Sequence, residues 1–395
     1  MKRVPDNTFT GVSGGSLIWT GDGYKKIEDI KCFDKVYVPN GELDTVIQTK
    51  RTSNYHNIEI KIAGCEPIIV HENHLFLARK KEVLYGRHDD GRRFANLKLN
   101  EQHLIQAKEL TSDYRIAVPI NRKSIIPIWN GVEKTTMNCR CVTNRWIEKS
   151  LEKYMDNADF WWIVGRYIGD GYLSKEKAIV DICCNYNEIN DIKEYADRLG
   201  IKYTTRKRQD TFGYLYSNKE LCEFLSRYGI GSLNKSITPE ILNLPIPLLQ
   251  SFLDGYIGAD GHWDYSLKNP YCTLTSVSKN LIYGYLQSIL KAYGRWGSLI
   301  ARSNQNDCIC GRQVNTNNSY VVSFHKNDTI RLQYTIEEDY AWVNVRSVNR
   351  HNEQTPIYSF LTEHGDGMIV NNVAMFNNNS VKKHLRRIHS WEISH

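Results

Sequence analysis

The sequence predicts an α+β protein with more than one domain. Two apolar, helix-like segments, residues 161–171 and 251–261, each end in Asp followed by Gly, and each precedes a strand-like run and a further helix. Residues 11–120 instead consist of short apolar runs separated by Gly, Asn and Asp, a pattern typical of β-strands and turns. Within them, residues 27–39 align without gaps to residues 107–119, and both copies end in Val-Pro. These observations indicate a pseudo-symmetric β-rich part, unless the likeness of the two copies arose by chance, and an internally repeated αβ part.

Composition limits the class of protein. The chain has 395 residues, enough for two or three domains with their own cores, and its 41% hydrophobic and 24% charged residues are typical of soluble globular proteins. Its ten cysteines are spread over the chain and its N-terminus resembles no secretory signal, so we expect an intracellular protein that is not secreted, in the cytoplasm or wherever host DNA lies. No apolar run reaches about 18 residues, so we expect no membrane span.

The two Asp-Gly segments have small residues at matching places. Small residues four apart lie on one face of a helix and allow two helix backbones to approach closely. If the two helices pack through these faces, Asp170 and Asp260 emerge side by side at their C-terminal ends. The small residues are Gly165 and Gly169 in the first segment and Gly255 and Ala259 in the second.

Two carboxylates at helix C-termini are electrostatically unfavourable, because that end of a helix already carries partial negative charge. A hard divalent cation, Mg²⁺ or Mn²⁺, is their natural counterion. Asp170 and Asp260 therefore indicate a metal site suited to phosphodiester hydrolysis. The alternative is a pair of core helices that each end in an ordinary Asp-Gly turn.

The pattern after each Asp-Gly also repeats. Residues 178–184 form a strand-like run, and a helix over residues 188–199 is predicted to end at Gly200. Residues 271–277 and a helix over residues 281–293, ending at Gly294, follow the second segment. Tandem halves of this kind imply an internal pseudo-two-fold axis.

Basic residues cluster after the first repeated helix. Since the net charge of +7 is modest for this length, basic residues must be clustered to bind nucleic acid. Near Tyr214 and Tyr216 they fit contact with a phosphate backbone, although a solvated surface would also explain them. The cluster consists of Lys202, Arg206, Lys207 and Arg208, and a second basic run occupies residues 382–387. The cysteine pairs 139/141 and 308/310 are either zinc ligands or ordinary core or loop residues.

Residues 150–335 resemble the LAGLIDADG homing endonucleases in their single-chain, two-motif form. Residues 163–171 and 253–261 match the two motif copies, and Asp170 and Asp260 match their acidic positions. The resemblance implies an αββαββα repeat and a monomer with pseudo-two-fold symmetry that cuts a long asymmetric site in double-stranded DNA. Residues 234–239 resemble the block with a catalytic lysine, which makes Lys235 a charge-stabilising or water-orienting group, unless it is an ordinary exposed loop lysine.

The flanking parts resemble the Hint domain of inteins. Residues 11–18 and 23–30 resemble its N-terminal block, and the C-terminal blocks lie within residues 342–377. His74 matches the activating histidine. The resemblance implies a Hint domain of residues 11–120 plus 340–378, split by the endonuclease, with residues 121–149 as a linker or DNA-recognition region. Residues 1–10 and 379–395 are then flanks.

The residues that splicing requires are incomplete. Gly11, at the position of the first nucleophile, carries neither thiol nor hydroxyl. The terminal Asn aligns to Asn377, whereas a boundary at Asn379 would make Ser380 the downstream nucleophile. Four further positions depart from the family. His71 stands where Thr is common, Ser359 where Asp is common, and Asp366 and Phe376 where His is common. We expect no splicing, because the chain either carries an introduced change at residue 11 or has a decayed Hint domain.

These features together predict a metal-dependent DNA endonuclease within an intein-type frame. The alternatives are a nucleic-acid-binding maturase on the same scaffold, or a splicing element whose nuclease is idle. Intact Asp170 and Asp260 argue against both.

Overall fold

A computed structural model describes residues 10–54, 56–87, 93–138, 141–208, 211–303, 306–309, 312–315, 317–327, 333–365 and 367–376. The chain divides into two compact units. The β-unit contains residues up to 121, residues 298–300 and residues from 328 onward, and the αβ-unit contains residues 122–297 and 301–327.

The first eleven strands belong to the β-unit. They are β1 (Val12–Ser13), β2 (Leu17–Thr20), β3 (Gly23–Lys26), β4 (Lys35–Tyr37), β5 (Leu43–Asn54), β6 (Asn57–Ile62), β7 (Ile68–His71), β8 (Leu75–Arg87), β9 (Arg93–Leu99), β10 (His103–Gln106) and β11 (Tyr114–Pro119).

The helices and the next twelve strands follow. They are β12 (Val132–Asn138), β13 (Cys141–Glu148), α1 (Ala158–Asp170), β14 (Gly171–Ser174), β15 (Ile179–Cys184), α2 (Ile189–Leu199), β16 (Thr204–Lys207), β17 (Phe212–Ser217), α3 (Lys219–Ser226), α4 (Pro239–Leu242), α5 (Ile246–Asp260), β18 (Gly261–Asp264), β19 (Tyr271–Ser276), α6 (Lys279–Tyr293), β20 (Ser298–Arg302), β21 (Asn306–Ile309), β22 (Arg312–Asn315) and β23 (Ser319–His325). The chain returns to the β-unit with β24 (Tyr334–Glu337), β25 (Tyr340–His351), β26 (Thr355–Thr362), β27 (Met368–Val370) and β28 (Val373–Phe376).

The β-unit is built on one 16-stranded sheet that closes on itself. The path of paired strands runs from β10 through β8 and β11 to β28, and β28 pairs back onto β8 with Phe376 opposite Leu75. One part of the core lies inside this closure, where Leu77, Trp342 and Phe376 are buried together. Residues far apart in sequence are therefore neighbours here, such as Leu17, whose amide donates a hydrogen bond of 2.8 Å to Asn371 Oδ1.

The aligned segments 27–39 and 107–119 form the same elements in the same order. Each opens with one turn of 3₁₀ helix, at Ile27–Asp29 and Ala107–Glu109, and each ends in a strand, β4 or β11. The likeness of the two segments is thus structural as well as sequential.

The αβ-unit contains two four-stranded antiparallel sheets with identical strand order. The first is β14-β15-β17-β16 and the second is β18-β19-β23-β20, where β20 crosses the boundary between the units. A motif helix, α1 or α5, precedes each sheet, and α2 or α6 connects its second and third strands. The αββαββ part of the predicted αββαββα repeat therefore occurs twice. Within the described residues, only the first copy has the final helix, α3, and only the second has the inserted hairpin β21–β22.

The repeated helices begin and end where capping chemistry places them. Asn185 and Glu188 form a capping box before α2, and Ser278 caps α6 by accepting a hydrogen bond from the Leu281 amide. Gly200 and Gly294 end these helices with positive φ values of 65° and 62°, which glycine adopts without strain. The predicted glycine ends are confirmed.

Residues 121–149, predicted to be a linker or DNA-recognition region, contain the hairpin β12–β13. Next to it, the chain is fixed to α3 by the buried carboxylate of Glu220. This carboxylate accepts hydrogen bonds from Trp129 Nε1 at 2.6 Å, from the Leu151 amide at 3.1 Å, and from Ser150. No helix in the described ranges is long and apolar enough to cross a membrane.

The helices α1 and α5 pack with their backbones almost in contact. A Cβ atom on Gly165 would overlap the Phe252 carbonyl oxygen, and one on Gly255 would overlap the Trp162 carbonyl oxygen. A Cβ atom on Gly169 would overlap the Ala259 methyl group. The predicted helix pair therefore depends on residues with little or no side chain.

This packing predicts effects of different size for two Gly→Ala substitutions in α5. The Gly255→Ala methyl group has no space, so we expect a loss of about 1–3 kcal/mol in the free energy of unfolding, as in other overpacked cores. Gly258→Ala meets only the end of the Arg166 side chain, 3.2 Å away, which has to shift by a few tenths of an ångström, so we expect a smaller loss, partly offset because alanine favours helix. Denaturant melts of both variants check this, and equal stability of the two would contradict the close contact.

Candidate active site

Asp170 and Asp260 are the last residues of α1 and α5. The close contact of the two helices brings these ends together. A Cβ atom on Gly169 would lie 3.4 Å from Asp260 Oδ2, so the Asp260 carboxylate lies against the residue that precedes Asp170. The structure thus brings together the two carboxylates that the sequence singled out.

The residue after each carboxylate must be glycine because its backbone lies against the last turn of the preceding helix. Gly171 and Gly261 have extended backbones with negative φ, so no left-handed turn demands glycine here. A Cβ atom on Gly171 would overlap the Tyr167 carbonyl, and one on Gly261 would lie 2.6 Å from the Ile257 carbonyl oxygen. The first strand of each sheet can therefore leave the helix directly after the carboxylate.

Lys235 is buried at the same place. Its Nζ donates a hydrogen bond of 2.8 Å to the Gly169 carbonyl and lies 5.3 Å from the centre of the Tyr167 ring. Its own carbonyl accepts a hydrogen bond of 2.7 Å from Ser278 Oγ, so residues from both copies hold it. Lys235 is only 5% exposed, which is contrary to the alternative of an exposed loop lysine.

Sequence reasoning missed two residues of the site. Arg166, inside α1 and 2% exposed, places Nη2 3.5 Å from Asp170 Oδ2 and Nη1 3.3 Å from Glu188 Oε1. Glu188 is fixed in turn, since its Oε2 accepts a hydrogen bond of 2.8 Å from the Asn185 amide. The one available signal was an arginine within an otherwise apolar helix.

The carboxylates and the lysine have perturbed pKa values. Burial, and then repulsion by Asp170, raise the pKa of Asp260 to about 6, against the attraction of Lys235 and Arg166. Burial also raises the pKa of Asp170, although Arg166 opposes this. Burial lowers the pKa of Lys235 to about 8, against the attraction of both carboxylates. Perturbed groups clustered in this way are typical of functional sites.

The donor set fits a hard divalent cation. Two carboxylates with raised pKa values lie together, and a cation would relieve their repulsion. Mg²⁺ commonly binds through one or two carboxylates and completes its shell with water and substrate phosphates.

A different group meets the geometric condition for three metal ligands. The ligand atoms of Asp44, Glu363 and His364 lie within 4.8 Å of one another. However, Asp44 already accepts hydrogen bonds from the Thr45 amide and from the amide and Nδ1 of His364. This group in the β-unit is explained by its internal hydrogen bonds.

Three of the four predicted DNA-binding residues are exposed. Lys202, Arg206 and Lys207 project from β16 or the loop before it, where solvent-accessible cations can reach a phosphate backbone. Arg208 is half-buried, and its guanidinium group pairs with Asp181 and with Cys183 Sγ. The fourth cation is thus already engaged by the protein.

The β-unit brings together part of the predicted splicing centre. The Gly11 carbonyl accepts a hydrogen bond of 3.0 Å from the His71 amide, and the His74 amide bonds to the His71 carbonyl at 2.9 Å. His74 is fully buried, its ring nitrogens have no hydrogen-bond partner among the described residues, and burial lowers its pKa to about 3. A Cβ atom on Gly11 would overlap the Tyr358 carbonyl oxygen.

Several predicted residues lie outside the described residues. They are Asp366, Asn377, Asn379, Ser380, the basic run 382–387 and one cysteine of each CxC pair, Cys139 and Cys310. Phe376, the last described residue before Asn377, pairs with Leu75, so that end of the chain reaches the residue next to His74.

Comparisons with known proteins give distant relatives. No family model matches the chain. An uncharacterized protein of Methanocaldococcus jannaschii is 24% identical over 305 residues, which cover 68% of this chain and 34% of that protein. The DNA-directed RNA polymerase subunit Rpo1C of the same organism is 29% identical over 133 residues, covering 32% of this chain and 15% of the subunit. The chain therefore spans about a third or less of the length of these relatives.

The similar solved structures include LAGLIDADG homing endonucleases. A mesophilic variant of I-DmoI is 18% identical with a TM-score of 0.31, covering 44% of this chain and 92% of that one. I-WcaI bound to its DNA recognition sequence is 16% identical with a TM-score of 0.29, covering 42% and 75%. The N-terminal LAGLIDADG domain of DUF199/WhiA is 10% identical with a TM-score of 0.29, covering 43% and 75%. These likenesses concern under half of the chain.

The site predicts that the two carboxylates titrate as a coupled pair. In Asp170→Asn, loss of the neighbouring negative charge should lower the pKa of Asp260 from its value of about 6. In Lys235→Met, loss of the positive charge should raise it further. Carbon NMR titration of the Asp side chains, without divalent metal, measures both shifts. An Asp260 pKa that neither substitution moves would show that the groups do not interact.

Proposed function

We propose that the αβ-unit is a site-specific endonuclease that hydrolyses both strands of double-stranded DNA with a divalent cation, Mg²⁺ or Mn²⁺. The observation that carries this proposal is the contact of α1 and α5, which joins Asp170 and Asp260 at one point between two copies of the same αββαββ element order. DNA matches this arrangement, because its strands are antiparallel and related by approximate two-fold symmetry.

The roles of the residues follow from their surroundings. Asp170 and Asp260 would hold the cation, which supplies positive charge beside the scissile phosphate when bound. A water oxygen then bonds to phosphorus, the bond to the leaving ribose oxygen breaks, and that oxygen takes a proton. Lys235, whose Nζ uses one hydrogen bond on Gly169, retains donors that can orient this water or stabilise the charge of the phosphate.

DNA binding is proposed for the exposed basic residues of the first sheet. Lys202, Arg206 and Lys207 are exposed and can contact the phosphate backbone. Side chains alternate along a strand, so Arg206, opposite Gly213, lies on the face away from the buried Val180, Ile182 and Tyr214. Lys207, opposite Phe212, lies on the side of Tyr214, at the edge of the sheet. The duplex would therefore lie on the open face of the sheet.

The β-unit is proposed to be a Hint-type domain that no longer splices. Its closed sheet places Gly11 beside His71, and the strand that leads to Asn377 beside Leu75. However, residue 11 has no nucleophile, and its surroundings leave no space for a side chain. The first step of splicing, attack by this residue on the preceding carbonyl, therefore cannot occur.

Substitution of either carboxylate tests the endonuclease. The wild-type chain should cut a member of a random plasmid library with Mg²⁺ and none with EDTA. Asp170→Asn and Asp260→Asn should each abolish double-strand cleavage and retain binding to the selected target in a gel-shift assay, because the site loses a metal ligand and the exposed basic surface stays intact. Full cutting by either variant would reject the shared site, and binding without cutting by the wild type would favour a maturase-like role.

The absence of splicing is tested on the whole chain. Incubation with and without a thiol should give neither N-terminal cleavage nor a ligated product, as followed by mass spectrometry. Gly11→Cys should also remain inactive, since its side chain would overlap the Tyr358 carbonyl. Any ligated product from the unaltered chain would overturn the assignment of an inactive domain.

A further inference from the structure

Arg166 is the one buried arginine among the described residues of the αβ-unit. It lies four residues before Asp170 on α1 and faces the carboxylate across 3.5 Å. A charged group at this depth is costly unless its charge is compensated, and the neighbouring acids provide that compensation.

The position of the guanidinium group is fixed from several sides. Nη1 lies 3.3 Å from Glu188 Oε1, and the group stacks over Trp162 with 5.8 Å to the ring centre. The guanidinium group lies against Gly258 of α5, where a Cβ atom would be only 3.2 Å from Nη1. Glu188 is itself held by the capping box before α2. The contacts therefore connect the start of α2, through Glu188 and Arg166, to Asp170.

The second copy has no equivalent. Tyr256 occupies the matching position, four residues before Asp260, and is fully buried. Among the described residues, no arginine, lysine or histidine lies within ion-pair distance of Asp260. Two carboxylates that match in sequence and position are thus held differently.

We propose that Arg166 is a positioning residue that fixes Asp170 but not Asp260, so that the two strands of the DNA are cut at unequal rates. This inference rests on the proposed endonuclease function. The two copies are related by a pseudo-two-fold axis, so a duplex bound across them presents one scissile phosphate nearer to each carboxylate. Because Arg166 supports the carboxylate of one copy only, it mainly affects the cleavage of one strand. A nicked duplex therefore accumulates before the double-strand break.

Strand-resolved kinetics test the inference. The target selected from the plasmid library by the wild type is prepared as a duplex with a different dye on each strand, and single-turnover rates are measured with Mg²⁺. Arg166→Met should slow the cut of one strand by roughly 10- to 100-fold, as expected when the partner of a metal ligand is removed, and leave the other rate nearly unchanged. Glu188→Gln should slow the same strand by a smaller factor.

Matched controls separate positioning from folding. Tyr256→Phe changes the equivalent position of the other copy without a change of charge, and should leave the ratio of the two rates unaltered. Arg166→Lys keeps the charge but loses the planar fork, so it should fall between the wild type and Arg166→Met, and it serves as the test if Arg166→Met does not fold. Equal slowing of both strands by these variants, or equal wild-type rates, would overturn the role of Arg166. A wild type that cuts no library member would instead reject the endonuclease itself.

Discussion

The close contact between α1 and α5 is the constraint on which the rest of the site depends. Gly165 and Gly255 let each helix touch the carbonyl groups of the other, at a distance that any larger residue would prevent. Two helices held this closely must end close together, so the carboxylates at their ends share one environment. The next strand begins at the residue directly after each helix, because Gly171 and Gly261 can lie against the last helical turn. The helix contact therefore sets both the spacing of the carboxylates and the origin of the two sheets.

That contact creates an electrostatic problem, which the surrounding residues solve unequally. Burial raises the pKa of both carboxylates, and a neighbouring negative charge adds to this, Glu188 at Asp170 and Asp170 at Asp260. Lys235 is placed between the copies and attracts both carboxylates. Arg166 also attracts both, but of the two it forms an ion pair only with Asp170. The two copies thus have similar backbones but different charged neighbours around their carboxylates. The matching sequence motifs do not predict this difference.

The sequence predicts those parts of the fold that depend on local pattern. The motif helices, their small residues and the glycine ends at Gly200 and Gly294 follow from spacing and capping rules, and the structure has them. Contacts between distant segments could not be predicted in this way. The burial of Lys235 and the pairing of Arg208 with Asp181 depend on how loops and strands meet, for which a single sequence gives no period or motif. Arg166 was visible as a charge in an apolar helix, but its partner Glu188 is 22 residues away in the chain.

In the β-unit, packing limits which side chain residue 11 can carry. Burial lowers the pKa of His74 to about 3, so its ring is neutral near pH 7 and binds a proton weakly. Gly11 is only a hydrogen bond away from His71, yet the Tyr358 carbonyl and Ile357 occupy the space that a side chain at residue 11 would need. A backbone shift would have to accompany any nucleophile placed there.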